Sequence, residues 1–561
     1  MLTSATLASL VISGLTYLAY LLFEFRDRAI GTTKRKDPLF QEVPGWPLIG
    51  QLAQSLTDIS RPLEASTIMA LKLRPGFSIT VPGVRIIDIS KPEWLEYIQK
   101  TNFDNYEKGP MFRLPMADLF GDALLVVDGD LWKRSRTVLS RIFHVTTFKT
   151  VIEPCANESL DGLLQVLQRA CDESRDIDFC NLFTRFTLDS FVKMTFGKML
   201  GLCGEESKAH GKSEAGYKNL SPPAEVFAEA FDFSQNQIDF RFTLMTGWGL
   251  YEKINFSVGK RMQRSCGVVH DYAYTLIDER LAKISSDDDF TNVETFQNDF
   301  LGLMMTVYRE RGHVLNRKEL KDATLSFLLA GRDATAQALS WCFFHLLMNK
   351  DVIRKIRQEA NQILGAYPFH QGRVTHDNYR QFKSTYSALL ETLRLHPPVP
   401  KNVRFAKADD VIPGGPTVEA GDCLTWSDWQ MARDPEIWGP DCGQFKPDRW
   451  IDETGKIQNF GNFKFHAFNG GPRLCLGMSM AMFVNVKTIV EILHSFDVEF
   501  SEGWLQNVPK SEDLSGIKTA YPTPQYQPSL TLPMKNPMMV SVKPRLTQDS
   551  LIKKKLNPLP L

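Results

Sequence analysis

The chain has 561 residues, 43% of them hydrophobic and 11% aromatic, enough for one large buried core. Its 65 Lys and Arg equal its 65 Asp and Glu, so no basic surplus points to a nucleic-acid partner. Nine cysteines with no C-x-x-C spacing argue against a disulfide scaffold or a zinc site and for a reducing compartment, hence a cytosolic face.

From Leu2 to Phe23 no residue is charged, which predicts a membrane-crossing helix within residues 1–30. No Lys or Arg precedes it, whereas Arg26, Arg28, Lys34, Arg35 and Lys36 follow, so the positive-inside rule leaves the bulk of the chain in the cytosol. A cleaved secretory signal is the competing reading. It lacks a charged n-region and a small-x-small cleavage site. Residues 31–50 read as a basic linker and a Pro/Gly hinge ending in Val43-Pro-Gly-Trp-Pro-Leu-Ile-Gly50.

Short strands are predicted at Phe77 to Val81 and Val84 to Ile89. Helical periodicity then runs from about 92 to 395, with exposed polar loops at 204–222 and 285–292. One of these helices carries Trp132 and Arg136 one turn apart, and a long apolar one spans Leu325 to Leu347 around Ala330-Gly-Arg-Asp333-Ala334-Thr335. Glu391 and Arg394, three apart, share a helix face before Pro397 stops it. Strands return between 399 and 426, with Pro413-Gly-Gly-Pro416 as a turn. Phe445-Lys-Pro-Asp-Arg449-Trp450 follows. A proline-rich surface loop is expected at 509–528, and a last hairpin pairs Leu530-Thr-Leu with Met539-Val-Ser-Val. The tail 546–561 carries Lys553 to Lys555, a solvated charge run. The fold class is mainly α with a smaller β portion.

The most specific signal is Phe468-Asn-Gly-Gly471-Pro-Arg473-Leu-Cys475-Leu-Gly477, followed at once by a helix-like run from Met478. A cysteine that ligates iron must be a thiolate, and a helix N-terminus with backbone N–H groups facing the sulfur favours that form. Gly471 and Gly477 let the chain turn and approach a porphyrin without Cβ atoms, Arg473 can neutralise a haem propionate, and Phe468 can shield the sulfur. Taken together with Trp132/Arg136, Glu391/Arg394 and Arg449, which precede it in this order, the segment resembles the haem-binding signature of the cytochrome P450 family, over roughly residues 40 to 545.

The resemblance implies a cytochrome P450 fold behind the N-terminal helix, with 51–545 as the catalytic domain. It implies haem b as cofactor with Cys475 as axial ligand to iron, and Trp132, Arg136, Arg404, Phe468, Gly471, Arg473 and Gly477 as its surroundings. Glu391, Arg394 and Arg449 would form a buried structural triad. Asp333 and Thr335 are the candidate catalytic residues, but Ala334 stands where the family usually has the oxygen-side hydroxyl. One helical step turns a side chain by about 100°, so Thr335 is expected to point away from iron. Position 330 is Ala, so no ester link to haem is expected.

The implied activity is a monooxygenase drawing electrons from NADPH through a separate NADPH–cytochrome P450 reductase and acting on a lipophilic molecule. Ala330-Gly-Arg-Asp333, Pro397-Pro-Val-Pro-Lys-Asn-Val-Arg404, Phe227-Ala-Glu-Ala-Phe-Asp232 and Ser529-Leu-Thr-Leu-Pro-Met-Lys resemble the fungal and plant branch that hydroxylates fatty acids and alkanes at or near the chain end. Leu329, Val399, Leu532 and Pro533 would line an apolar pocket. The implied location is the endoplasmic reticulum membrane, single-pass, with the catalytic domain in the cytosol. Two rivals are a reductase-independent isomerase, dehydratase or peroxygenase acting on lipid hydroperoxides, and a catalytically silent haem- or lipid-binding membrane protein.

Overall fold

Apolar residues at three- and four-residue spacing put most of the chain into helices. The computed structural model describes residues 4–545 apart from 35–36, 38–39, 59, 204–221, 245–246, 287–298, 313–315, 366–371, 512–513 and 515. The helices that matter for the site are α1 (Ser4–Glu24), α2 (Gly109–Phe120), α3 (Gly129–Leu139), α4 (Phe179–Phe196), α5 (Pro222–Leu244), α6 (Trp248–Ile254), α7 (Phe256–Ser286), α8 (Arg317–Met348), α9 (Lys383–Leu395) and α10 (Met478–Ser495). The polar loop expected at 204–222 lies outside the described residues as far as 221, and Pro222 opens α5. The loop at 285–292 lies outside them from 287 onward. So do Arg35, Lys36 and the tail 546–561 with Lys553 to Lys555.

The smaller β portion is a six-stranded sheet and a three-stranded one. Strands are β1 (Gln41–Glu42), β2 (Phe77–Val81), β3 (Val84–Asp88), β4 (Tyr106–Glu107), β5 (Ile177–Asp178), β6 (Lys401–Ala406), β7 (Cys423–Ser427), β8 (Phe496–Phe500) and β9 (Met539–Pro544). The larger sheet runs β1-β2-β3-β7-β6-β4, and the smaller runs β8-β9-β5. The Pro413–Pro416 turn joins the short antiparallel pair Asp410–Val411 and Thr417–Val418.

The helix α8 is the spine. The Asn316 side chain caps it, accepting from the Lys318 backbone N–H at 2.9 Å. Three quarters of its residues are buried. It crosses α4 closely because residue 331 is Gly: a Cβ there would lie 1.9 Å from the Phe191 ring.

Beneath it sits the buried charge network read from sequence. Glu391 on α9 is fully buried. Its carboxylate accepts from Arg394 Nε and Nη2, both at 2.8 Å, from Arg449 Nε at 3.1 Å, from the Lys446 N–H at 2.9 Å and from Trp450 Nε1 at 2.9 Å. Arg394 also donates to the carbonyls of Ala432 at 2.6 Å and Cys442 at 2.7 Å.

Three sequence expectations need correction. First, Leu530 to Leu532 is no strand; β9 pairs with β8 and β5 instead. The backbone of 530–532 is taken by side chains: Asp239 accepts from the Leu530 N–H at 3.1 Å, Gln337 from the Leu532 N–H at 2.9 Å, and Trp341 Nε1 donates to the Leu532 carbonyl at 2.7 Å. Secondly, 509–528 is more than a surface loop. Leu514, Ile517 and Tyr526 are buried, and the Tyr526 hydroxyl donates to Glu64 at 2.6 Å.

The third correction concerns the N-terminus. Among the described residues no helix is long and apolar enough to cross a membrane. The helix α1 does form, and it exposes Leu10, Val11, Ile12, Leu15 and Phe23. Ser, Thr, Gly and Tyr dilute its apolar run, and residues 1–3 lie outside the description.

Burial pushes the Glu391 pKa up, but Arg394 and then Arg449 outweigh it and leave it below the usual carboxylate value. A depressed carboxylate stabilises the fold above its unfolded pKa and loses that contribution as pH falls through its folded value. Glu391→Ala also strands Arg394 and Arg449, a loss of about 3–5 kcal/mol. Chemical denaturation should show a sharply lower midpoint for Glu391→Ala and a smaller penalty for it at acid pH. An unchanged midpoint would contradict the structural role.

Candidate active site

The Cys475 loop leads directly into α10. The Cys475 backbone N–H donates to the Phe468 carbonyl at 2.8 Å, which folds the loop back over the sulfur. Gly471, at φ +58°, is required by its neighbours: a Cβ would lie 2.2 Å from the Gln99 carbonyl oxygen. That close approach is to the short helical turn Tyr97–Thr101, not to a porphyrin. Gly477 has an ordinary φ of −85°, and protein atoms leave its Cβ position free to 3.5 Å. The Phe468 ring packs on Phe465, with centroids 6.3 Å apart.

Among the nine cysteines, Cys475 alone is exposed, yet burial is the largest influence on its thiol and raises the pKa. Both hold for a sulfur deep in the protein that borders an internal opening. A Gly477 backbone hydrogen bond and the Arg136 charge act in the opposite direction. They do not overcome burial, so the helix terminus alone does not make the thiolate. Binding a cation is what would expel the proton.

The cations around this opening exceed the anions. Lys108 and Arg404 are buried, the Arg473 side chain is 8% exposed, and Arg136 is half-buried. Asp128 is the single carboxylate acting on three of them. It pairs with Arg473 at 2.5 Å and accepts the N–H groups of Lys108 at 3.0 Å and Gly109 at 3.1 Å. Burial and the Arg473 charge bring Arg404 down to about 9, and burial and Arg136 bring Arg473 down to about 10. Lys108 is pushed well down by burial, Arg404 and Arg473. Trp132 is buried beneath the Arg473 guanidinium, 4.6 Å from the ring centroid.

This arrangement fits haem. Two propionates would add to Asp128 the further anions that the cluster of Arg404, Arg473, Lys108 and Arg136 calls for, and Cys475 would supply the iron ligand. The α8 side is compatible: Ala330 is exposed, and Ala323, Leu329 and Ala334 are partly open on a stretch, Leu320 to Leu347, that is otherwise buried. Thr335 is only 2% exposed and belongs to the core.

The profile of the family described as Cytochrome P450 matches residues 41–528. The chain belongs to the cytochrome P450 family. It is 36% identical to the cytochrome P450 monooxygenase cyp1 of Mycosarcoma maydis over 538 residues, covering 94% of this chain and 79% of that one. Cytochrome P450 704B1 of Arabidopsis thaliana is 29% identical, covering 80% of this chain and 88% of its own length. The alkane hydroxylase MAH1 of the same plant is 28% identical, covering 84% and 90%. The protein is thus a P450 monooxygenase, whose family binds haem iron through a thiolate.

The structure brings Trp132, Arg136, Arg404, Arg473 and Cys475 to one opening, with Phe468, Gly471 and Gly477 shaping its loop. It places Asp333 on an adjacent face of α8. Sequence reasoning missed Lys108 and Asp128, which no local pattern marks, and Gln235 and Asp232, which meet α8 from α5. For Cys475 the expected result is clear: Cys475→Ser should lose the red-shifted Soret band of the reduced carbon monoxide complex. A histidine-type spectrum in the unaltered protein would remove Cys475 from the iron.

Proposed function

We propose that this P450 hydroxylates an acyl or alkyl chain at or near its end, with electrons from NADPH through a separate membrane flavoprotein reductase. The observation that carries this reading is the apolar stretch Leu329, Ala330 and Ala334, left open on α8 where its neighbours are buried. The names of relatives agree, one being an alkane hydroxylase. Val399 is exposed as a lining residue would be, whereas Leu532 is packed away at 1% exposure.

Bound at Cys475, a thiolate-ligated haem supplies reductive activation of dioxygen and insertion of one oxygen atom into a C–H bond. The chain does the rest. Arg404, Arg473 and Lys108 would hold the propionates and fix the orientation of the haem. Apolar side chains on α8 exclude water and admit hydrocarbon. Asp333 is the group that holds a proton: burial raises its pKa, against the opposing pull of Arg332 and Gln235. A carboxyl kept closer to neutrality is a better proton donor at physiological pH. Ala334 contributes no hydroxyl, so Asp333 carries this role without the usual partner.

Ala334 also favours a second reading, turnover of lipid hydroperoxides without any reductase. The two separate cleanly. Protein reconstituted with reductase and NADPH should convert saturated fatty acids or alkanes to products heavier by one oxygen, seen by mass spectrometry. Product formed from hydroperoxides alone, with none from saturated chains, would establish the second reading instead. In the monooxygenase case Ala334→Thr should raise product per NADPH, Asp333→Ala should slow turnover, and Thr335→Ala should change little. Uncoupling by Thr335→Ala would show that the buried hydroxyl reaches the oxygen side.

The same proposal places the protein at the endoplasmic reticulum membrane, with α1 resting on the bilayer surface and the catalytic domain in the cytosol. Support comes from the exposed apolar side chains of α1 and from Trp46, Leu250, Ile254 and Phe256. Deleting residues 2–25 should release much of the protein from membranes at high salt. Glycosylation of an acceptor tag at the C-terminus would overturn the orientation.

A further inference from the structure

The face of α8 next to the haem opening borders a second space. A cavity of about 930 Å³ lies between α4, α5, α8 and the segment 527–535, lined by polar groups that include Thr184, Asn236, Gln337 and Ser340. Asp333 opens into it, one residue before Ala334. Since one helical step turns by about 100°, the residues 333 and 334 address different spaces across one helix wall.

Asp333 is held there by a specific arrangement. Gln235 on α5 donates its side-chain amide to the Asp333 carboxylate in a short hydrogen bond. Arg332 makes a long ion pair with Asp333, Nε 3.6 Å from Oδ1, while its Nη2 is tightly paired with Asp232 on α5. The Gln235 carbonyl oxygen is buried with no hydrogen-bond partner among the described residues. An unmet acceptor at the wall of a roomy polar cavity calls for water.

We propose that Gln235 is a positioning residue for Asp333, and that this cavity is the water-filled reservoir from which Asp333 takes up the protons it passes across α8. The inference rests on the relay role given to Asp333 above. The step moves one proton from cavity water to the carboxylate and later from the carboxyl to the oxygen side, with no change of oxidation state in the protein. Gln235 keeps the carboxylate turned to the cavity. Asp232 shares the Arg332 charge, so the ion pair to Asp333 stays long.

The charged groups around Asp333 are Arg332 on its own helix, Asp232 and Asp239 on α5, Lys535 in the closing segment and Cys180 on α4. Burial pushes Cys180 up to about 12, so it stays a neutral thiol. Asp239, raised to about 6 by burial, is held by Ser529 at 2.5 Å and by the Leu530 N–H. Removing the Gln235 amide takes away a donor that favours the charged carboxylate, so the Asp333 pKa should rise. Neutralising Asp232 removes a repelling charge and frees Arg332, so it should fall.

Infrared difference spectra of the ferric holoprotein, labelled with carboxyl-¹³C aspartate, test this without turnover. The protonated-carboxyl band abolished by Asp333→Asn belongs to Asp333. It should persist to higher pH in Gln235→Leu and vanish at lower pH in Asp232→Asn. Product per NADPH should fall severalfold in Gln235→Leu, with KM and the carbon monoxide spectrum unchanged and recovery in Gln235→Asn. Should Gln235→Leu not fold, the Asp232→Asn shift carries the test with the opposite sign. A band that keeps its position and titration in both variants, or one that no pH brings out, overturns the positioning role. Unaltered coupling in Asp333→Asn overturns the underlying relay instead.

Discussion

One buried carboxylate organises the proximal half of this molecule. Glu391 accepts from two arginines, an indole and a backbone amide, so its charge is compensated in a place where an isolated ion would be prohibitive. The consequence spreads through Trp450. Its indole is fixed by Glu391, its ring meets Phe465 with centroids 4.7 Å apart, Phe465 meets Phe468, and the Phe468 carbonyl accepts the Cys475 N–H at 2.8 Å. A continuous run of contacts thus links the α9 ion pair to the loop that presents the sulfur. This explains why a charge pair remote from any chemistry is part of the thiolate site.

The other half of the site is under-neutralised. Packing Lys108, Arg404, Arg473 and Arg136 around one opening against Asp128 leaves the apoprotein with buried positive charge. Burial of like charges costs free energy, and a dianionic group that binds only the folded state offsets it. Haem occupancy and fold stability are therefore coupled by electrostatics as well as by the iron–sulfur bond.

Legibility in the sequence follows range of interaction. The cysteine loop, the Glu391–Arg394 pair and the Trp132–Arg136 pair were readable because their chemistry is written in adjacent residues or one helical turn. Lys108 and Asp128 were not, since they meet Arg473 from 365 and 345 residues away in sequence. The strand expected at Leu530 to Leu532 had the right alternation, but tertiary donors and acceptors from α5 and α8 captured its backbone first. The membrane span showed the limit of counting uncharged residues: absence of charge is weaker than apolarity, and Ser, Thr, Gly and Tyr make the difference.

The position of α8 ties these strands together. One helix supplies Gly331 for close packing on α4, a run of small apolar side chains toward the haem opening, and Asp333 toward the polar cavity. Each function occupies its own angular sector, and the 3.6-residue repeat keeps the sectors apart. A hydroxyl at 334 would have put a polar group into the apolar sector. With Ala there, that sector gains no hydroxyl, and under the proposed relay proton handling falls to a neighbouring face served by α5. On that proposal, the same alanine that removes a familiar catalytic group sharpens the division between a dry side for the substrate and a wet side for protons, and the α5 contacts of Asp333 become the controlling feature of that division.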